Sequence, residues 1–241
     1  MSDIISAMVG KIIDKTMIAL GTLQVKFRVE KPFTFKSGQY CFITLKELKI
    51  PDPRGNRRHF SIVNSPNEKG IITFTTRLTE SGFKKTLSEL ALGTEVELGP
   101  IAGVFTLPEN IKKPLVFMAG GIGITPFISI LRYLKETSNP YQINLVYSNR
   151  EANSTAFLDE IQELTKTLSN FKLILTMTDD PNWKGEKRKV DANFIKEYFP
   201  NVNENYYMIV GPPGFVEAVK KSLNEAGVLE QNIKIERFTG Y

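Results

Sequence analysis

From Leu115 to Phe238 five apolar runs, LVFMA, INLVYS, LILTM, YYMIV and IKIERF, alternate with segments of helical pattern near residues 125–136, 154–168, 191–199 and 214–226. Runs of this kind, nearly free of polar alternation, belong to strands covered on both faces, and strands that alternate with helices build a parallel sheet. Phe127, Ile130, Leu131 and Leu134 fall on one helical stripe, and Phe157, Ile161, Leu164 and Leu168 on another. Stripes at this spacing bury one face of each helix. The second half of the chain is therefore expected to be an α/β domain with a five-stranded, Rossmann-like parallel sheet.

The first half has another grammar. Up to about Leu107 short runs separated by turn residues, QVKFRV, QYCFITL, RHFSIV, IITFTTRL and TEVELGP, read as strands of an antiparallel Greek-key β-barrel. One helix interrupts them, expected over Thr86 to Leu92, with Gly93 as its stop. GPIAGVF reads as a bend into a last barrel strand. The polar stretch LPENIKK, residues 107–113, is where the pattern changes, so the boundary is set between 109 and 110. The fold class is two-domain α+β, a barrel over 1–109 followed by the α/β domain over 110–241.

Composition narrows the function classes. With 241 residues, 41% of them hydrophobic, the chain can bury the cores of one or two domains. Its formal charge is +5, yet the densest basic run, KGEKRK at 184–189, is interrupted by Glu186, which argues against nucleic acid as a partner. The single cysteine, Cys41, excludes a disulfide within the chain and any cluster or zinc site built from several of its own thiolates. No metal site is expected. PLVFMAGGIGITPFISIL, residues 114–131, is uncharged over nearly the length of a membrane span, but three glycines and Pro126 interrupt it. It reads as strand, turn and helix, without a membrane span. No signal peptide pattern opens the sequence, so a cytoplasmic address is expected, and the chain is expected to be a monomer.

Two glycine turns end expected strands of the parallel sheet. AGGIGITP places Gly120, Gly121, Gly123 and Thr125 between a strand and a helix. Backbone N–H groups there can approach a pyrophosphate, the helix dipole favours its charge, and Thr125 adds a hydroxyl. Pro126 stands where the G-x-G-x-x-G fingerprint needs its third glycine, so this is a different cradle. VGPPGF, with Val210, Gly211, Pro212 and Gly214, ends the fourth parallel strand at the same edge. Together the turns make a floor for a flat ligand. YSNR, after the second parallel strand, offers Ser148 and Arg150 to a 2′-phosphate, and no acidic residue follows Tyr147 directly to bind a ribose hydroxyl instead. NADPH is thereby favoured over NADH.

In RRHFSIVNSP, residues 57–66, an arginine, the only histidine, an aromatic and a hydroxyl stand in succession at Arg58, His59, Phe60 and Ser61. Period-two geometry puts Arg58 and Phe60 on one face of a strand. A guanidinium can clamp phosphate with two charged hydrogen bonds, and an aromatic face can cover a flat heterocycle. The ordered series RHFS, TRLTESGFKKTL, GPIAGVF, GGIGITP, VGPPGF and IERF resembles the ferredoxin-NADP reductase superfamily over about Gly38 to Phe238.

That resemblance implies a flavin, usually FAD, on the barrel and NADPH or NADH on the α/β domain. It matches Arg58 to the arginine on the flavin pyrophosphate, Phe60 to the aromatic packed on the isoalloxazine and Ser61 to the hydroxyl beside its reacting nitrogen. His59 falls in a variable slot within the same motif. Tyrosine is commoner than phenylalanine at the Phe60 position. Thr75, Thr76 and Arg77 match the strand beside the ribityl and phosphate; Gly82, Lys85 and Thr86 match the second flavin segment, with Thr86 as helix cap and anion donor. Glu236 matches a carboxylate that helps to position the nicotinamide beside Ser61. Phe238 matches an aromatic lid on the flavin, and Gly240 would let Tyr241 fold back as another. Val210 stands where the family often has cysteine, so a thiol is missing there.

The implied activity is transfer of electrons from NAD(P)H through FAD to an acceptor, either a ferredoxin- or flavodoxin-type carrier or free flavin. The positive charge favours an acidic carrier protein. The alternatives are a noncatalytic FAD-binding subunit of a larger redox enzyme, and a binding module for anionic ligands that holds no flavin.

Overall fold

The computed structural model describes residues 7–109, 111–137 and 141–238. The chain separates into two compact units, one of Met1–Leu107 with Thr125–Thr137, the other of Pro108–Ile124 with Ser138–Tyr241.

In the first unit, β1 (Met8–Ala19), β2 (Thr22–Val29), β3 (Tyr40–Thr44), β4 (Arg57–Ser61), β5 (Ile71–Arg77) and β6 (Glu95–Ala102) form one antiparallel sheet in the order β4-β3-β6-β1-β2-β5. It wraps a core that includes Phe27, Ile43, Phe74, Phe83 and Leu98. The end strands come together just beyond β4, where Val63 N–H donates to the Thr73 carbonyl at 2.9 Å and Asn64 Oδ1 accepts from Thr73 N–H at 2.8 Å. The barrel is thus drawn shut at one corner, with no ladder between β4 and β5 among the described residues.

Three details differ from the sequence reading. β1 was not among the expected strands: register shifts at Ile12/Asp14 and Met17/Ala19 break its inward alternation after Met8, Gly10 and Ile12. GPIAGVF does not bend into a further strand. Gly99 to Ala102 complete β6, then Gly103 turns the chain at φ +108°, leaving Val104 in solvent and Phe105 buried. The helix α1 spans Gly82–Glu89, four residues earlier than expected at its start, because Ser81 caps it by accepting from Lys84 N–H at 3.3 Å. Thr86 is consequently an interior residue of α1, and the assignment of Thr86 as its cap is corrected.

The helix α2 (Thr125–Glu136) groups with this unit. Ser129 Oγ donates to the Asn64 carbonyl at 2.8 Å and Arg132 Nη1 to the Val63 carbonyl at 3.2 Å. Glu136 accepts from Ser65 Oγ at 2.5 Å and Asn67 Nδ2 at 2.9 Å. Three polar residues one turn apart therefore tie α2 to the segment that follows β4.

The second unit holds β7 (Leu115–Gly120), β8 (Ile143–Asn149), β9 (Phe171–Met177), β10 (Tyr206–Gly211) and β11 (Ile233–Arg237), all parallel, in the order β11-β10-β7-β8-β9. α4 (Ala192–Tyr198) and α5 (Pro213–Ala226) bury Phe194, Ile195, Val216, Val219 and Leu223 against Val116, Val146 and Ile209 on one face. On the other, Tyr147 donates to the Ala156 carbonyl at 3.2 Å ahead of α3 (Leu158–Thr167). The expected helix over 154–168 is a 3-10 turn at Ala152–Ser154 followed by α3, because Phe157 adopts φ +59°, a left-handed conformation that no continuous helix accommodates. Among the described residues no helix is long and apolar enough to cross a membrane, and no group of three or more His, Cys, Asp or Glu side chains could hold a metal.

Candidate functional site

The candidate residues fall into two groups, one in each unit. In the first unit β4 alternates as expected: Arg57 and His59 are exposed, whereas Arg58 and Phe60 turn inward and Ser61 is buried at the strand end. Phe60 is half-buried, its ring centroid 5.7 Å from that of Phe74 and 6.1 Å from that of Phe83. A ring held on one side by the core can present its other side to a planar ligand. His59 lies on the opposite face of the strand from Arg58 and Phe60, with its ring 4.9 Å from Tyr40 and 5.5 Å from Phe42. Desolvation by its neighbours, helped by repulsion from Arg54, lowers its pKa.

Arg58 is the centre of a charged cluster. Nη2 donates to Asp52 Oδ1 at 2.6 Å, and Nη1 donates to the carbonyls of Arg54, Gly55 and Arg57 at 2.7, 3.0 and 2.7 Å. The ion pair is enclosed, with side-chain exposures of 10% for Arg58 and 4% for Asp52. Asp52 reaches further, its Oδ2 accepting from Ser81 Oγ at 2.6 Å and from Phe83 N–H at 3.1 Å, and Oδ1 from Arg54 N–H at 2.9 Å. These bonds, led by that from Ser81, hold the carboxyl far below the usual carboxylate range. Lys84 is buried on the first turn of α1. Burial first, then repulsion from Arg54 and Arg58, brings its pKa down to about 8, with Asp52 acting in the opposite direction. Three cations thus surround one carboxylate at the amino end of α1.

The loop reaches that helix only because Gly82 has no side chain: a Cβ there would lie 2.2 Å from the Ile50 carbonyl oxygen. Lys85 pairs with Glu80 at 2.5 Å, and Thr86 Oγ1 accepts from Lys49 N–H at 3.0 Å. Thr75 and Thr76 are buried on β5, and Arg77 Nη1 donates to the Leu20 carbonyl at 2.9 Å. Asp52, Arg54 and Lys84 were not singled out from the sequence; the usable signal was a carboxylate inside the cationic turn PDPRGNRR.

In the second unit the two glycine turns lock together. A Cβ on Gly123 would come within 2.5 Å of the Val210 carbonyl oxygen, and one on Gly120 within 2.6 Å of the Phe215 ring. Gly121, at φ +52°, and Gly214 instead face open space. The ends of β7 and β10, neighbours in the sheet, therefore form one tightly backed floor with two bare backbone positions on it. The Val210 side chain is fully buried beneath this floor, and Pro212 begins the turn into α5. Thr125, also buried, follows the first turn in sequence but opens α2 and so belongs to the first unit.

At the neighbouring edge Ser148 lies level with Gly120 and is half-buried, while Arg150 is exposed and its carbonyl accepts from Asp179 N–H at 2.9 Å. Asn149, between them, is buried, and neither amide atom has a partner among the described residues. Glu236 on β11 lies level with Val210. Its Oε2 is buried without a partner among the described residues, and burial pushes its pKa up to about 7 against the pull of Lys234. A carboxyl so poised can take up or release a proton near neutrality. Phe238 is half-buried and fixed by its N–H, which donates to the Gly211 carbonyl at 3.0 Å. Tyr241 and Gly240 lie outside the described residues. Ser61 belongs to the first group, Glu236 and Phe238 to the second.

Residues 117–221 match the family model described as the oxidoreductase NAD-binding domain. The reductase component of propane 2-monooxygenase from Rhodococcus jostii is 29% identical over 214 residues, which cover 86% of this chain and 56% of that protein. Reductase component 1 of terephthalate 1,2-dioxygenase from a Comamonas species is 27% identical over 95% of this chain and 67% of its own length. The chain thus spans roughly half to two thirds of these curated relatives. A crystal structure of a ferredoxin NADP+ reductase from Neisseria gonorrhoeae, with FAD and NADP bound, superposes with a TM-score of 0.81 at 19% identity, over 96% of this chain and 98% of that one. At that identity the superposition establishes the fold.

Proposed function

We propose that this chain is a member of the ferredoxin-NADP reductase superfamily and an NAD(P)H-dependent flavoprotein reductase that takes electrons from a reduced nicotinamide and passes them to a separate acceptor. The observation that carries the reading is the backed floor of the second unit, where the open positions at Gly121 and Gly214 leave backbone for a dinucleotide pyrophosphate. Residues 1–109 are taken as the flavin domain and residues 110–241 as the nicotinamide domain.

The residues of the first unit suit a flavin nucleotide. Arg54, Arg58 and Lys84 outnumber Asp52 by two charges, which complements a diphosphate, and Phe60 has the half-buried setting of a ring that covers a heterocycle. FAD bound there supplies two-electron chemistry with nicotinamide and one- or two-electron chemistry with the acceptor. Gly82, Lys85 and Thr86 with Thr75, Thr76 and Arg77 are assigned to its phosphate and ribityl, and Ser61 to the edge of its reacting ring. Gly120, Gly121, Gly123, Thr125, Gly211, Pro212 and Gly214 hold the nicotinamide dinucleotide, with Val210 supporting the floor from beneath. Ser148 and Arg150 take a 2′-phosphate. Glu236 holds a proton beside the nicotinamide carboxamide, and Phe238 is the ring that the nicotinamide displaces.

The relatives from Rhodococcus and Comamonas are named reductase components of oxygenases. The acceptor of this chain is accordingly an oxygenase or a ferredoxin-type carrier, and an acidic carrier suits the net charge of +5. The test is reconstitution. Protein supplied with FAD and desalted is expected to keep about one flavin per chain and to reduce an artificial acceptor with NADPH or NADH. Protein that is folded yet retains no flavin would refute the reading.

A further inference from the structure

Asp52 does at the amino end of α1 what a phosphate does at many helix starts. Its carboxylate takes the Phe83 N–H and the Ser81 hydroxyl with one oxygen and the Arg54 N–H and the Arg58 guanidinium with the other. All four of these partners are donors, and the carboxylate is 4% exposed. Nη1 of Arg58 is directed at three carbonyls of the 54–57 turn. The guanidinium is consequently pinned at both terminal nitrogens, its Cζ lying 5.2 Å from the centroid of the Phe83 ring. Among the described residues these bonds leave Nε–H and one Nη2–H of the arginine's five donors for a ligand.

The geometry points to Asp52 as the positioning residue of the flavin-phosphate site, an internal carboxylate that fixes the remaining donor edge of Arg58 and the first turn of α1 before the cofactor arrives. The inference rests on the flavin reading above and adds a residue and a role to it. Its physical content is pre-organisation. An arginine without this partner spends binding energy on ordering its side chain, whereas one already clamped does not. A second consequence concerns charge. Asp52 favours the protonated form of Lys84, opposing burial, Arg54 and Arg58. Removing the carboxylate therefore releases Nη2 of Arg58 and shifts Lys84 toward its uncharged form, and both effects weaken the site for a phosphorylated ligand.

A competing role is physically distinct. If a flavin phosphate needed the Phe83 N–H for itself, Asp52 would be a rival anion, and its removal would tighten binding. The two roles predict opposite signs. The experiment compares natural protein with Asp52→Asn and Asp52→Glu by titrating the flavin-free forms with FAD, FMN and riboflavin. Asparagine keeps the shape without the charge; glutamate keeps the charge but moves the carboxylate by one methylene. In either variant the affinity for FAD and FMN is expected to fall at least tenfold relative to that for riboflavin, which has no phosphate. A change shared equally by all three ligands, an unchanged ratio, or tighter FAD binding would overturn the inference. If Asp52→Asn does not fold, Asp52→Glu decides by the same ratio; if neither folds, Asp52 is a structural residue and the inference fails. Natural protein that binds no flavin would instead defeat the functional reading on which this one stands.

Discussion

At the scale of single residues the site is governed by burial of charge. Glu236 is the plainest case, because burial raises its pKa from the ordinary 4.5 to about 7. Between those values the folded protein holds a proton that the unfolded chain has released. The resulting stability is complete below about 4.5 and is lost as pH rises through about 7. Glu236→Gln removes this titration. Denaturant unfolding of the variant across that range is expected to lack a decline whose slope in the natural protein is at most about 1.4 kcal/mol per pH unit. Equal slopes in both proteins would show that the carboxyl does not titrate there. If Glu236 also holds the proton beside the nicotinamide, the same variant flattens the pH profile of flavin reduction around neutrality.

Single residues were also where sequence reading fell short. The placement of Arg58 and Phe60 on one face followed from strand alternation, which survives because β4 has no bulge against β3. The partners of Arg58 did not follow, since Asp52 comes from a proline- and glycine-rich loop whose course no periodicity encodes. The buried amide of Asn149 and the buried carboxyl of Glu236 were likewise invisible, because desolvation depends on what folds over a residue rather than on its neighbours in sequence.

At the scale of elements, legibility tracked the regularity of burial. Every strand of the parallel sheet was readable, since the first four are largely apolar runs that alternate with helical segments and β11 follows the last of those helices. β1 was not, because its two register shifts scramble the alternation that identifies an antiparallel strand. α1 was misplaced at its start because Gly82 reads as a turn residue, although it serves here as a point of close approach. The glycine turns after β7 and β10 yield a prediction at this scale. In Gly123→Ala the new methyl meets backbone at Val210 and cannot be relieved by a side-chain rotation, so a loss of about 1–3 kcal/mol in denaturant unfolding is expected. Gly214→Ala adds a methyl in open space on α5 and is expected to preserve stability while weakening NAD(P)H binding measured by titration. Equal effects of the two substitutions on both properties would show that the turns are not divided into a packed side and a ligand side.

At the scale of the whole molecule the chain joins an antiparallel barrel to a parallel sheet, and α2, which follows the first glycine turn in sequence, groups with the barrel through Ser129, Arg132 and Glu136. The central claim is that this arrangement moves electrons from a nicotinamide to a bound flavin. It is tested most directly by mixing the FAD-loaded protein with NADPH, and separately with NADH, without oxygen, and following the flavin absorption band in a stopped-flow instrument. Full bleaching of the band within the turnover time is expected, faster with NADPH than with NADH. A flavin that stays oxidised with both nucleotides, in protein that has retained its FAD, would contradict the account.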